Sequence, residues 1–429
     1  MPHKKLFFAL FSALLLAGVG LRVHTVARIP GLAEYDPHFE YAEEVRAHYA
    51  AVAAAPYPGL RQKLDGYNFS KSVRGFQNRM RWHPPVYYLS CALAGALSPA
   101  DAALPVKIFS LLCDLATLWL LFLLLRHFYK DDYELILPAL ALLLFLPGHI
   151  SFANLANNDV LFAPVCLLFL LLSLKWTEEP LSPGRIVSLS LICSLLLLIK
   201  YPGLVCFIYL HAVLLSLLLR RRLPPARYFR AALAALCLPL ALAGWYYWTN
   251  YSIWGNALYM PGYSSVREHV YLSFRFIDLL YSQFNNWHES SSILTGFFAS
   301  FFSFDLINTA AREIAWRNAV FCLALAPLLA GCAGTVLSLK KERYQALNLF
   351  LLLSLLSTGS FLWKFNSGAG PLKSCYVMFL APLYPVYFAE GLGALRARSR
   401  PAFYFCLAAV LALCVSVITY YCVFFTSPA

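Results

Sequence analysis

The chain has 429 residues, of which 60% are hydrophobic and only 13% charged, and its mean hydropathy is +0.64. This composition excludes a soluble globular protein and indicates a polytopic helical membrane protein. The net charge of +13 does not indicate a nucleic-acid partner, because much of it lies in short clusters that flank apolar runs.

Eleven apolar runs are long enough to be predicted as membrane spans. They lie at 5–24, 104–126, 134–151, 158–175, 185–199, 202–219, 230–250, 318–338, 345–363, 375–395 and 402–424. The first is too long for a signal peptide, so we interpret it as a retained span. One further run, 84–97, is short and begins with two prolines. We predict that it is interfacial or re-entrant.

The orientation of these spans follows from the basic residues. If 84–97 does not cross, all the short basic clusters fall on the side of the N-terminus, which the positive-inside rule makes the cytoplasm. The sequence therefore predicts an all-α protein of about eleven transmembrane helices, with a cytoplasmic N-terminus and an external C-terminus. We expect a module at 1–251 with interfacial helices in its external loop 25–103, a second external loop at 252–317 and C-terminal helices at 318–429.

Ionisable residues are concentrated in the first external loop. Asp36, His38 and Glu40 follow the first span within a few residues, and Arg81 and His83 precede the prolines of the short apolar run. In an otherwise apolar chain, ionisable residues at a bilayer surface indicate a functional site, although a solvated loop has the same composition.

Further polar residues interrupt later spans on the same external face. Asn158 and Asp159 open the fourth span, where helix capping alone would also explain the carboxylate. Lys200 and Tyr201 lie where Pro202 and Gly203 must break a helix, and a lysine there can snorkel or hold a phosphate.

Two lysines of the C-terminal part extend this pattern. Lys364 and Lys373 flank a flexible turn at the same depth, and with Lys200 and Arg81 they form a predicted cationic collar for a lipid-linked phosphate. Within the second span, Lys107 and Asp114 share a helix face, and Asp114 is expected to face the bundle interior.

These motifs, in this order, resemble the GT-C glycosyltransferases, and in particular the protein O-mannosyltransferase and aminoarabinose transferase branch. The resemblance rests on the acidic residue after the first span, on His83-Pro84-Pro85-Val86-Tyr87-Tyr88, on the Asn/Asp turn and on Lys200-Tyr201-Pro202-Gly203. It covers the first half of the chain well and the second half loosely.

The resemblance implies an enzyme that takes sugar from a polyprenyl-phosphate donor, with a first-loop carboxylate as catalytic base. Asp36 best matches that carboxylate. The family usually has an acidic pair there, whereas this chain has Asp36-Pro37-His38. The division of labour among Asp36, His38 and Glu40 therefore stays open.

The sequence thus predicts an inverting transferase at the outer face, periplasmic or lumenal, with an unidentified protein, lipid or glycan acceptor. Phosphate is a good leaving group, so no cofactor is required, and the twelve cysteines lack the spacing of a metal site. A transporter or flippase of a lipid-linked substrate is the alternative, and a non-catalytic assembly subunit is a third. We expect the protein in a bacterial inner membrane.

Overall fold

We describe the protein from a computed structural model, which covers residues 2–28, 37–54, 83–98, 100–153, 156–178, 182–258, 301–302, 311–364 and 378–424. Every regular element within these ranges is helical. The α-helices are α1 Pro2–Arg28, α2 Pro37–Ala54, α3 Val86–Gly95, α4 Ala103–Tyr129, α5 Tyr133–Leu144, α6 Pro147–Ala153, α7 Asn158–Glu178, α8 Pro183–Ile199, α9 Gly203–Leu219, α10 Pro225–Trp254, α11 Ala311–Ser338, α12 Gln345–Lys364, α13 Tyr384–Arg398 and α14 Arg400–Phe424. Two 3-10 helices, Glu342–Tyr344 and Met378–Leu383, precede α12 and α13.

Helices occupy the position of each predicted span, and 134–151 is divided between α5 and α6. Within the described ranges, seven helical segments are long and apolar enough to cross a membrane: Phe7–Ala27, Ala103–Tyr129, Asn158–Lys175, Pro225–Ser252, Trp316–Ser338, Met378–Arg398 and Arg400–Cys422. The all-α, multi-pass membrane architecture is confirmed. The count of eleven crossings stays a prediction, because α5, α8 and α9 are shorter apolar helices.

The short apolar run at 84–97 forms α3, which has ten residues. At a rise of about 1.5 Å per residue it is about 15 Å long, roughly half the hydrocarbon thickness. This length agrees with an interfacial or re-entrant helix. Pro85 fixes the backbone just before α3, and Tyr87 and Tyr88 are fully buried.

The chain forms two compact units whose segments alternate in sequence. Unit 1 comprises 1–29, 113–154 and 263–429, and unit 2 comprises 30–112 and 155–262. This division is based on contacts within the fold, whereas the segments 1–251, 252–317 and 318–429 were predicted along the sequence. Those segments stay a prediction.

Unit 1 contains a close helix pair, α11 against α13. A Cβ on Gly334 would lie 1.8 Å from the carbonyl oxygen of Tyr387, and one on Gly391 would lie 1.9 Å from that of Ala330. No side chain fits at either position, so the two backbones touch there. Glycine permits this close packing, as it does between helices in membranes generally.

Unit 1 also buries a charged cluster. Arg22 of α1 binds the carboxylate of Asp114 in α4 through its Nε atom, and His149 Nδ1 lies 3.1 Å from the other carboxylate oxygen. Arg22 also donates to the carbonyl oxygen of Leu144, the last residue of α5. Asp114 is 3% exposed and faces the interior as expected. Its partners are Arg22 and His149, and this pairing balances its charge.

Candidate functional site

A break between two helices of unit 2 positions Lys200. Ser182 caps α8 by accepting a hydrogen bond from the Arg185 amide, and Pro183 occupies the first turn. The helix ends at Ile199, and Lys200 has an extended backbone with φ −158° and ψ 150°. The predicted break is confirmed.

Gly203, the first residue of α9, makes this break possible. A Cβ at this position would lie 2.5 Å from the carbonyl carbon of Leu196 and from the amide nitrogen of Leu197. The start of α9 therefore rests directly on the last turn of α8. Only glycine allows that approach, which holds Lys200 between the two helix ends.

Lys200 forms a buried ion pair with Asp159, in which Nζ lies 2.5 Å from Oδ2. The lysine side chain is 11% exposed and the aspartate side chain 2%. Asp159 is in the first turn of α7, but the capping contact there is made by Asn157, whose Oδ1 accepts the Asp159 amide at 2.9 Å. Among the described residues, Oδ1 of Asp159 is buried without a hydrogen-bond partner. Asp159 thus serves chiefly as the counter-ion of Lys200.

Next to this pair, His83 and Asn158 are hydrogen-bonded to each other. Asn158 Nδ2 lies 3.2 Å from His83 Nδ1, and both side chains are buried. Burial lowers the pKa of His83 well below its ordinary value of 6.5, and the nearby His38 and Lys200 lower it further. His83 is therefore a neutral imidazole at pH 7.

His38, on α2, also lies beside His83, because α2 packs on α3. Its Nδ1 is 2.6 Å from the hydroxyl of Tyr88, and its ring centroid is 5.3 Å from that of His83. Residues two apart on a helix point in nearly opposite directions. Glu40 is exposed on α2, whereas His38 lies beside His83 and Tyr88.

Tyr201 points from the break toward α10. Its hydroxyl accepts a hydrogen bond from Asn250 at 3.2 Å and lies 3.4 Å from the hydroxyl of Tyr246. Burial raises the pKa of Tyr201, so the phenol stays protonated. Tyr247 donates to the carbonyl of Leu197 at 2.9 Å. These contacts attach the break to α10 and give Tyr201 an anchoring position.

The remaining predicted site residues are not described. Asp36, Arg81 and Lys373 lie outside the described residues, and Lys364 ends α12 in unit 1 without a described side chain. The assignment of Asp36 as base and the cationic collar stay predictions. Within the described ranges no group of three or more His, Cys, Asp or Glu side chains could hold a metal ion.

Two contacts of this site were not anticipated from the sequence. Tyr88 is fully buried and its hydroxyl hydrogen-bonds to His38. Asn157, rather than Asp159, supplies the capping oxygen. The sequence does contain a signal for the burial of Tyr88. The two prolines fix the start of the helix at Val86, and the second and third residues of this helix, Tyr87 and Tyr88, are buried.

The site thus combines an ammonium group, a buried carboxylate, a neutral imidazole and an amide. Lys200 can bind an anion if it exchanges its carboxylate partner for one. His83 and Asn158 can form hydrogen bonds without adding charge. Such a set suits a ligand that carries both a phosphate group and sugar hydroxyls.

No protein-family model matches this sequence, and no curated protein matches it. Solved structures do match. The crystal structure of ArnT from Cupriavidus metallidurans bound to undecaprenyl phosphate is similar over 98% of this chain and 76% of that one, with a TM-score of 0.54 and 13% identity. The crystal structure of the same ArnT in the apo state is similar over 97% of this chain and 77% of that one, with a TM-score of 0.52 and 12% identity. The crystal structure of the Archaeoglobus fulgidus oligosaccharyltransferase in complex with Zn and sulfate matches 95% of this chain and 52% of that one, with a TM-score of 0.48 and 13% identity. The chain has the GT-C fold that its motifs resemble.

Proposed function

We propose that this chain is an integral membrane glycosyltransferase that moves a sugar from a polyprenyl-phosphate-linked donor to an acceptor at the outer membrane face. The observation that carries the proposal is the buried Lys200–Asp159 pair beside His83, within a GT-C fold. The ArnT structure bound to undecaprenyl phosphate supports a polyprenyl phosphate as the donor lipid.

Lys200 is proposed to bind the donor phosphate. Its ammonium group is neutralised by Asp159, so an arriving phosphate meets a largely buried cation that is already in place. A positioned cation stabilises the negative charge that develops on the leaving phosphate, an effect worth about 10²- to 10³-fold in kcat for comparable donors.

Asp36 is proposed as the general base. It accepts the proton of an acceptor hydroxyl or amine while the acceptor atom forms a bond to the anomeric carbon. The bond from that carbon to the phosphate oxygen breaks on the opposite face, and the polyprenyl phosphate leaves with the electron pair. The configuration is inverted, and general-base catalysis contributes about 10²- to 10⁴-fold.

The position of His38 supports a role for this part of the chain. His38 follows Asp36 by two residues and hydrogen-bonds to Tyr88 beside His83. The first residues of α2 are therefore at the site that holds Lys200. We propose that His38 orients the acceptor, whereas Glu40, exposed on α2, has no part in the proton transfer.

The proposed setting is a bacterial inner membrane, with the N-terminus cytoplasmic and the site on the external face. The acceptor is a protein, a lipid or a glycan. A transporter would need polar groups near mid-membrane, but Asp114 is occupied by Arg22 and His149. This occupancy favours transfer over transport.

The test is a turnover assay on the purified full-length protein. Undecaprenyl-phosphate-linked sugars carrying a radiolabel are incubated with a membrane extract as the source of acceptor, and released undecaprenyl phosphate is measured. We expect release by the wild type and a loss of at least about 10²-fold in D36N, with unchanged thermal unfolding. Full activity in D36N would overturn the base assignment. Movement of an uncleaved donor between the leaflets of proteoliposomes would instead identify a flippase.

A further inference from the structure

Asn158 faces one of the two ring nitrogens of His83. Nδ1 is 3.2 Å from the amide nitrogen of Asn158, which can only donate a hydrogen bond. Nδ1 must then accept, and the proton of a neutral imidazole is on Nε2. Asn158 is 1% exposed and His83 7%, so water does not compete for this contact.

The surroundings of His83 favour the neutral ring over the imidazolium. Among the residues that the structure describes, the titratable and charged groups near it are His38 on α2, Tyr88 on α3 and Lys200 paired with Asp159. His38 and the Lys200 ammonium both disfavour a further positive charge, and the carboxylate of Asp159 is already bound to Lys200. A buried imidazole in such a setting stays uncharged.

Three consecutive residues at the start of α7 have separate tasks. Asn157 caps the helix, Asp159 balances Lys200, and Asn158 contacts His83. Capping and charge balance therefore do not account for Asn158. A buried asparagine held against an imidazole nitrogen instead determines which nitrogen carries the proton.

We propose that Asn158 is a positioning residue, which fixes His83 as an uncharged Nε2–H donor for an oxygen of the lipid-linked sugar donor. The ligand in this inference rests on the proposed function. An uncharged donor adds a directed hydrogen bond without a second positive charge beside Lys200. It therefore helps to orient the substrate without holding the more negative polyprenyl phosphate product more tightly.

The tautomer can be read directly by ¹⁵N NMR on the full-length protein labelled at histidine. The chain has ten histidines, and H83Q identifies the resonances of His83 by their loss. We expect Nδ1 without a proton and Nε2 with one at pH 7, and the ring should stay neutral below pH 6.5. An imidazolium, or a proton on Nδ1, at pH 7 would overturn the inference.

Substitutions at position 83 test the role of the proton. A glutamine amide can place an N–H group where Nε2 lies, an asparagine amide is too short, and a lysine supplies a cation. We expect H83Q to retain about 10- to 100-fold more transfer activity than H83N, and H83K to restore none. Rescue by H83K but not by H83Q would show that His83 acts as a cation.

Substitution of Asn158 tests the positioning. In N158D a carboxylate faces Nδ1 and draws a proton to it, so the NMR signature should change and transfer should fall by about 10- to 100-fold. An unchanged signature with full activity would contradict the role of Asn158. If N158D does not fold, the wild-type spectrum and the position-83 series still decide the inference.

Failure of the inference and failure of the proposed function give different results. An active wild type with a proton on Nδ1 would refute the tautomer and leave the transferase. The expected tautomer in a protein that neither binds nor cleaves undecaprenyl-phosphate sugars would refute the transferase, and with it the ligand assigned to His83.

Discussion

Lys200 and Asp159 are buried together, so each depends on the other for charge balance. K200M would leave an uncompensated carboxylate in unit 2, which typically costs about 3–5 kcal/mol. The double variant K200M/D159N removes both charges and should recover most of the lost stability. Thermal unfolding in detergent measures this difference.

Ligand binding separates the functional role of this pair from its structural one. Both variants should lose affinity for undecaprenyl phosphate, because neither retains the ammonium group. If the double variant bound the lipid as tightly as the wild type, Lys200 would be a purely structural residue.

His83 makes stability depend on pH. The folded-state pKa lies below the ordinary value of 6.5, so below that pH the unfolded chain binds a proton that the folded protein does not. The contribution of the neutral His83 to the free energy of unfolding is therefore fully present above pH 6.5. As the pH falls below that value, the protein loses up to about 1.4 kcal/mol of stability per pH unit. The fall in melting temperature from pH 7.5 to pH 5 should be smaller in H83Q than in the wild type. Equal falls would contradict a lowered pKa.

At the scale of residues, the structure brings together four of the predicted site residues, His83, Asn158, Asp159 and Lys200. Each could be identified in the sequence because it interrupts or flanks an apolar segment, where polar groups are costly. The opposite positions of His38 and Glu40 were not predicted, since they depend on α2 beginning at Pro37. The partners of Tyr88 and Asn157 depend on packing that periodicity does not encode.

At the scale of elements, the break between α8 and α9 depends on one glycine. G203A would place a Cβ 2.5 Å from the backbone of Leu196, so one of the two helix ends must move. We expect a lower melting temperature and weaker undecaprenyl phosphate binding, because Lys200 shifts with the helix end.

Gly184, in the first turn of α8, provides the matched control. A Cβ there meets no atom within 4 Å, and alanine is favoured over glycine in helices by up to about 1 kcal/mol. G184A should be neutral or slightly stabilising and should bind the lipid normally. Equal effects of G203A and G184A would show that the close approach at Gly203 does not matter.

Helix breaks were predictable from the sequence because proline and glycine fix them locally. The side-chain pairs between helices were not predictable in this way. Spacing placed Asp114 on one face with Lys107, whereas the carboxylate binds Arg22 and His149. Arg22 is a charged residue within an apolar helix, a signal that could have been paired with Asp114.

At the scale of the whole molecule, the predicted topology gives termini on opposite sides of the membrane. Reporter fusions test this. A fusion within the arginine-rich segment 220–230 should report the cytoplasm, and one after Phe424 should report the outside. If both reported the same compartment, the chain would cross the membrane an even number of times between 230 and 424 instead of the predicted five.

The all-helical membrane architecture was predictable from the lengths of the apolar runs, and the GT-C fold was expected from the resemblance of the motifs. The number of membrane crossings was less predictable, because α3, α5, α8 and α9 are shorter than a typical span. The alternation of units 1 and 2 along the chain was not predicted either, since contacts between distant segments leave no mark in local composition.

A structure of the protein with undecaprenyl phosphate bound tests most directly whether unit 2 holds the site of a lipid-linked sugar transferase. Lys200 as the phosphate ligand predicts a phosphate oxygen within about 4 Å of its Nζ atom, with His83 beside it. A lipid phosphate bound elsewhere, with Lys200 still paired only to Asp159, would contradict the assignment.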